Sequence, residues 1–343
     1  MKKLKVAVLG TGSLGKEHAR IYAALAAAGQ LEFAGVYDAR PEVAKSVADK
    51  YRVTVFASAA AAIEASDALS VVTPTVTHHE LARLALSQGR HCLVEKPMTH
   101  TAEQADELVA LAREKGCILQ VGHVERFNPV IAYLQTAAAD PRFIETHRLS
   151  PYPARSTDVG VVLDLMIHDL DVVLAFVRSP VTGVEAVGIP VLSPTEDIAN
   201  ARLRFANGCV ANLTVSRISP ERMRKIRVFS GGDRVSYISL DYRAQEGFIY
   251  RLAREDEPES SLLKKLLAAK DSAIVSEFAG RRIVREPVPI EKDEPLKLEL
   301  QDFVACAQAR QAPRVSGESA RRALELALEI SRQIRQADVR IHS

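Results

Sequence analysis

In the segment VAVLGTGSLG an apolar run stops at Gly10, and Gly12 and Gly15 follow at intervals of two and three. A short apolar run cut off by glycines and followed by the helical pattern SLGKEHARIYAALAAAG reads as strand, tight turn and helix. Each glycine has a mechanical reason to be there. The first permits the turn, the second lets a phosphate approach the backbone, and the third lets the helix pack on the strand. The first turn of such a helix, with Ser13 and Leu14 at its edge, directs free N–H groups and the positive end of its dipole at an anion. The arrangement suits the pyrophosphate of a dinucleotide.

The same beat continues to about residue 122. LEFAGVYDA, ALSVVTP, HCLVEKP and CILQVGH read as strands, and PEVAKSVADKYR, THHELARLALSQG and TAEQADELVALAREKG as helices between them. Strands that are apolar throughout and joined by helical crossovers imply a parallel sheet covered on both faces, a Rossmann domain over 1–122. The second strand ends at Asp38, 23 positions beyond Gly15. A carboxylate there can accept both ribose hydroxyls and would repel a 2′-phosphate, which favours NAD over NADP, with Arg40 as the signal in the other direction. VVTPTVTHHE leaves its strand through Thr73, Pro74 and Thr75 at the carboxyl edge of the sheet, where ligands of such sheets bind. That turn is expected to touch cofactor, and so is His78; a helix entry capped by Thr77 is the simpler account. CLVEKPMTH ends a strand in Glu95, Lys96 and Pro97. The lysine then sits at the edge where a nicotinamide would lie, unless it is only a snorkelling surface residue.

Near residue 123 the rhythm changes. After the helical stretch NPVIAYLQTAAA come longer strand patterns joined by turn dipeptides, Asn207-Gly208 and Gly231-Gly232, which signal hairpins. The region 123–343 is therefore expected to be one α+β domain with a mainly antiparallel sheet, closing in helices over 296–310 and 317–338. The stretch SLLKKLLAAKDSAIVSEFAGRR is polar enough for an exposed excursion. Within the domain, LDLMIHDLDVVLAFV (163–177) reads as a helix with Leu163, Ile167, Leu170, Leu174 and Val177 along one apolar stripe. Asp164, His168 and Asp171 recur at the same spacing on the neighbouring face. Asp169 and Asp171 are read as solvated or structural.

The totals exclude several classes. With 45 basic and 43 acidic residues among 343, the chain has no global field to recruit nucleic acid or a membrane surface. The basic run RMRKIRV is read as a solvated strand face. Four scattered cysteines without C-x-x-C spacing give no zinc signature and suit a reducing cytoplasm. The opening MKKLKVAVLG is too short in its apolar part for a signal peptide, and no segment could span a bilayer. A soluble cytoplasmic protein with no metal is expected.

GTGSLG, TPTVTHH, EKP and DVGVVLDLMIHDLD, taken together, resemble the Gfo/Idh/MocA family over essentially the whole chain. The resemblance implies a Rossmann domain followed by an open-faced, mainly antiparallel α+β domain. It also implies NAD(P)-dependent chemistry on hydroxyl-bearing carbons of sugars, cyclitols or sugar nucleotides. Lys96 then corresponds to the lysine of the E-K-P motif, usually followed by a cis peptide bond, and Asp164 and His168 to the D-x-x-x-H catalytic pair. Oxidising a secondary alcohol needs a base for its proton and a positive group for the developing alkoxide. Histidine titrates nearest neutrality, Lys96 can polarise the hydroxyl, and Asp164 can orient the imidazole or the substrate.

Substrate contacts are expected from His123, Arg126 and Asn128 in QVGHVERFNPVI and from Arg155 in PYPARSTDVG, with interdomain hydrogen bonding as the alternative for each. GHVERFNP with DVGVVLDLMIHDLD is most similar to the branch that oxidises the 3-hydroxyl of UDP-N-acetylglucosamine. Inositol, a free aldose or UDP-N-acetylglucosaminuronate are alternatives, and arginines would suit a diphosphate. A non-catalytic NAD-binding regulator would have no use for Lys96, Asp164 and His168 together. One sheet face without evident helical cover leads to an expected homodimer or homotetramer.

Overall fold

The computed structural model describes residues 3–138, 140–152, 159–232, 235–253, 273–278 and 281–342. The chain forms two compact units, Met1–Phe127 with Glu294–Leu326, and Asn128–Asp293 with Ala327–Ser343. The first begins β1 (Lys5–Leu9), α1 (Gly15–Ala27), β2 (Glu32–Tyr37), α2 (Pro41–Tyr51), β3 (Thr54–Val55), α3 (Ala59–Glu64) and β4 (Ala68–Val71). It continues α4 (His78–Ser87), β5 (His91–Glu95), α5 (Ala102–Lys115) and β6 (Leu119–Gly122). All strand pairs are parallel, in the order β3-β2-β1-β4-β5-β6. Val6, Ala7, Val8 and Leu9 are all fully buried, as a strand covered on both faces requires. The strand order reverses between β1 and β4, so the turns after Leu9 and Val71 flank the crevice that such sheets offer a ligand.

The second unit carries α6 (Pro129–Ala137), β7 (Pro141–Leu149), a single helical turn wound i→i+5 (Val162–Met166) and α7 (Ile167–Val177). Its remaining strands are β8 (Val181–Ile189), β9 (Ile198–Phe205), β10 (Val210–Ser216), β11 (Met223–Ser230), β12 (Ser236–Asp241), β13 (Glu246–Leu252), β14 (Ala273–Phe278) and β15 (Arg281–Pro287). They form one nine-stranded sheet in the order β14-β15-β13-β12-β11-β7-β10-β9-β8, antiparallel apart from the β7–β10 pair. Burial alternates along β7, β9, β10 and β12, which gives the sheet one packed face and one open face. Asn207-Gly208 joins β9 to β10 with Gly208 at φ +83°, and Gly231-Gly232 stands between β11 and β12. Arg222 and Arg224 are exposed, as expected of a solvated strand face. The end of the supposed excursion is strand β14, while 261–272 lie outside the described residues.

The chain closes with α8 (Pro295–Ala309) and α9 (Gly317–His342). Here the uninterrupted second domain, 123–343, is corrected. Residues 294–326 return to the first unit, because Leu300, Phe303 and Val304 of α8 complete the core built by Val6, Val8, Tyr22 and Phe33. Each such side chain contributes about 1.5–3 kcal/mol on burial. Amphipathic periodicity announces a helix but does not say which of two cores it will cover.

Candidate active site

The three glycines of the first turn do different work. A Cβ on Gly10, whose φ is +90°, would lie 2.5 Å from the carbonyl oxygen of Val72, and one on Gly15 would lie 1.9 Å from that of Gly10. Around Gly12 nothing stands within 4 Å. Two glycines are thus demanded by the protein's own packing. The third faces open space, with exposed Ser13 and Leu14 beside it and the first N–H groups of α1 behind. The turn fits a dinucleotide pyrophosphate, which a side chain at position 12 would displace.

Asp38 stands just beyond β2. Its Oδ2 accepts from the Thr11 N–H at 2.7 Å and the Thr11 hydroxyl at 3.1 Å, and its Oδ1 accepts from the Arg40 N–H at 3.0 Å. Partial burial pushes the carboxyl upward. The Arg40 and Thr11 donors and the Arg40 charge outweigh that and hold it below the ordinary aspartate value. Asp38 is an ionised acceptor fixed at the strand end, with the Arg40 guanidinium exposed beside it.

At the end of β5 the Lys96–Pro97 peptide bond is cis. The Glu95 side chain turns inward. His18 of α1 donates to its Oε1 at 3.1 Å in a buried pair, and Lys96 N–H reaches its Oε2 at 3.3 Å. The Glu95 carboxylate occupies the space a Cβ of Gly122 would need, 2.7 Å away. His78 is also turned inward, where its ring is buried. Its Nδ1 lies 3.0 Å from the Pro97 carbonyl and its Nε2 2.8 Å from the Thr73 carbonyl, so the neutral ring donates to one of these and packs against the other. Burial lowers its pKa against the pull of both carbonyls. The Thr77 hydroxyl donates to that of Thr73 at 2.7 Å, bracing the Thr73–Thr75 turn, while Pro74 is exposed.

In the second unit Asp164 sits inside the Val162–Met166 turn and His168 one residue into α7, both half-buried. The wider turn places Asp164 differently from what regular 3.6-residue winding implies. The buried stripe is accordingly Met166, Ile167, Leu170, Val173 and Val177, with Leu163 and Leu174 only half-buried. Asp169 and Asp171 are buried rather than solvated. Asp169 takes two hydrogen bonds from Arg148 of β7, at 2.9 and 3.0 Å, and both side chains are almost fully enclosed. The Arg148 guanidinium also lies 5.7 Å from the centre of the Tyr242 ring.

The remaining candidates divide. His123 is buried. Arg126 donates to the Arg314 carbonyl at 3.3 Å within the first unit. Asn128 is used structurally: it caps α6 by accepting from the Val130 N–H and donates to the Tyr242 carbonyl at 3.0 Å. Arg155 lies outside the described residues. His18, Gly122 and Arg148 were not picked out from the sequence. His18 falls one helical turn after Gly15, a spacing that could have betrayed it. Among the described residues no group of three His, Cys, Asp or Glu could hold a metal ion, and no helix is long and apolar enough to cross a membrane.

Residues 4–123 match the family model described as an oxidoreductase family with an NAD-binding Rossmann fold, and residues 133–233 match the GFO/IDH/MocA C-terminal domain. The chain belongs to the GFO/IDH/MocA oxidoreductase family. Within that family it is 36% identical to the UDP-N-acetylglucosamine 3-dehydrogenase of Acidithiobacillus ferrooxidans, over 96% of this chain and 97% of that protein. A solved structure of that enzyme has a TM-score of 0.84 at 35% identity, covering 97% of this chain and 98% of the other. The scyllo-inositol 2-dehydrogenase (NAD(+)) of Bacillus subtilis is 26% identical over 64% of this chain and 68% of its own length. Levoglucosan dehydrogenase in complex with NADH shares the fold, at a TM-score of 0.79 and 17% identity over 97% of both chains. This GFO/IDH/MocA member is an NAD-dependent oxidoreductase, and the glycine turn and Asp38 are the parts of it that fit the cofactor.

Proposed function

We propose that the protein oxidises the 3-hydroxyl of UDP-N-acetylglucosamine to the 3-keto sugar with NAD. The observation that carries this reading is the end-to-end match to an enzyme of that name, 36% identical over 96% of the chain, against 26% over 64% for the scyllo-inositol relative. NAD, held at the glycine turn and by Asp38, would supply the acceptor for the hydride leaving the carbinol carbon. The Lys96 ammonium donates a hydrogen bond to the alcohol oxygen and offsets the negative charge developing there. A ring nitrogen of His168 accepts the hydroxyl proton, and Asp164 orients that ring or a neighbouring substrate hydroxyl. His123, Arg126 and Arg155 are assigned to the substrate, the arginines suiting its diphosphate. Thr73, Pro74 and Thr75 are assigned to the cofactor, with Glu95 supporting from behind.

The open face of the nine-stranded sheet is assigned to self-association. Phe143, Phe229, Tyr237 and Tyr250 run across it as a ladder of rings, with centroids 5.7, 4.5 and 5.2 Å apart. Glu145 lies 3.7 Å from Arg227, so acidic and basic groups alternate beside the rings and can meet their counterparts on a second copy. Cys92, Cys117, Cys209 and Cys306 form no disulfide, and burial pushes the Cys209 thiol up to about 11, which suits a reducing cytoplasm. The test is NADH formation with UDP-N-acetylglucosamine, UDP-N-acetylglucosaminuronate, myo-inositol and glucose in parallel. Turnover on the first is expected to exceed that on each of the others by at least about 100-fold, the scale of discrimination that built polar contacts supply. A preference for inositol or glucose overturns the reading.

A further inference from the structure

The entry to the Asp164 and His168 helix is held with more buried charge than a surface turn requires. Gly160 has no room for a Cβ, because the Glu196 carboxylate fills the place, 2.0 Å from where that atom would be. The same residue takes the next two backbone donors. Val161 N–H reaches the Glu196 carbonyl at 3.1 Å and Val162 N–H reaches its Oε1 at 3.3 Å. Asp164 N–H is then bonded to the Gly160 carbonyl at 3.1 Å. One residue upstream, the Val159 carbonyl accepts from Arg217 Nη1 at 2.7 Å. Backbone groups at 159, 161 and 162 are thus fixed from outside the helix.

What fixes them is itself fixed. Arg217, fully buried just after β10, donates from Nε to Asp197 Oδ1 at 2.7 Å and from Nη2 to the hydroxyls of Ser193 and Thr195. Asp197, just before β9, takes three backbone N–H groups of Val191, Leu192 and Ser193 on its other oxygen. The pair extends the β9–β10 ladder by one step, since Arg217 N–H reaches the Asp197 carbonyl at 2.9 Å. Burying such a pair costs desolvation energy that hydrophobic residues would not, so a pair placed here calls for a reason beyond stability.

We propose that Glu196, backed by the Asp197–Arg217 pair, is a positioning residue that sets the direction of Asp164 and His168. The turn from Val162 to Met166 is wound i→i+5 rather than i→i+4, and the Glu196 carboxylate adds a restraint on it from outside the helix. The inference rests on the dehydrogenase reading for its catalytic consequence, but not for the clamp itself.

Two measurements separate them. In ligand-free protein, Glu196→Ala should speed hydrogen exchange at the Val162 and Asp164 amides by about tenfold or more, while Ile226 and Val228 in the sheet keep their rates. Unchanged exchange at both overturns the clamp. With NAD and UDP-N-acetylglucosamine, Glu196→Ala should lower kcat by about 10–100-fold, the scale of a misplaced catalytic group. KM for NAD should stay within about twofold, and Glu196→Gln, which keeps an acceptor of the same shape, should recover most of the rate. Gly160→Ala should be damaging alone, yet add nothing in the Glu196→Ala background, where its methyl has room. Wild-type kcat in Glu196→Ala, or full additivity with Gly160→Ala, overturns the positioning role. If the wild type itself oxidises none of the alcohols tested, the functional reading fails, and the exchange rates still decide whether Glu196 holds the turn.

Discussion

The nucleotide edge of the first unit and the helix entry of the second solve the same problem in opposite ways. At the first, the residues proposed for cofactor and alcohol lie within a few positions of the strand ends that place them. Gly12 follows β1, Asp38 follows β2, Thr73 follows β4 and Lys96 follows β5. Parallel strands in register deliver these ends to one edge, so the backbone does the positioning and side chains need little help. At the second, Asp164 and His168 lie on one helical stretch, but what steadies it comes from distant sequence: Arg148 on β7, Glu196 and Asp197 before β9, and Arg217 after β10. A site built on a sheet edge depends on topology, and one built on a helix entry depends on buried pairs.

Mutation can test that contrast. The largest effect is expected at the residues assigned to charge and proton handling. Lys96→Ala and His168→Ala should each lower turnover by about 10²–10⁴-fold while NAD titration by fluorescence stays near wild type. If only one of the two slows the enzyme, the other residue is scaffold. Next, Asp169→Ala takes the carboxylate away from the buried Arg148 guanidinium and should cost about 3–5 kcal/mol in urea unfolding. Replacing both partners by Met and Leu should restore much of that loss; no recovery would mean that the pair does more than hold α7.

The glycine turn probes the first half more finely. Gly12→Ala should leave stability within about 0.5 kcal/mol. It should still weaken NAD by about tenfold, or 1.4 kcal/mol, since its methyl meets no protein atom but stands where phosphate belongs. Gly15→Ala, 1.9 Å from the Gly10 carbonyl, should lose stability as well. Equal behaviour of the two variants would remove the distinction drawn between them. The smallest effect is on pH. His91 Nδ1 accepts from the Ile118 N–H at 2.9 Å, which only an unprotonated nitrogen can do, and burial lowers the ring's pKa from 6.5. A histidine held neutral contributes stability above its unfolded pKa and loses it as pH falls toward the folded value. Urea midpoints should therefore decline below about pH 6.5, and less so in His91→Asn, which keeps an acceptor. An identical slope in both proteins would assign the decline elsewhere.

Much of the first unit was legible because its signals are local. VAVLGTGSLG, the acidic end of the second strand and EKP each specify their own turn. Asn207-Gly208 did so for a hairpin of the second unit, and the 163–177 helix announced itself by apolar period. Legibility failed where a polar residue's partner is remote. Nothing near His78 or Asn128 in sequence shows the carbonyls of Pro97 and Tyr242 that lie beside them, 19 and 114 residues away. The i→i+5 turn was hidden for the same reason: its restraint is Glu196, 34 residues beyond Val162, and an α-helical period fits the local residues well enough alone. His18 and Gly122 stood unremarked because their purpose appears only once the Glu95 side chain is seen to turn inward between them.

The return of α8 to the nucleotide-binding core has a consequence for synthesis. Val6 and Phe33 leave the ribosome early, but Phe303, which must seal them, is translated long after the sixth strand is complete at Gly122. At about 5–20 residues per second, the interval leaves an oily flank uncovered for roughly ten to thirty-five seconds. A nascent chain of this kind has to be shielded by something else until its own lid arrives, and a fragment cut after Phe127 would wait for it indefinitely.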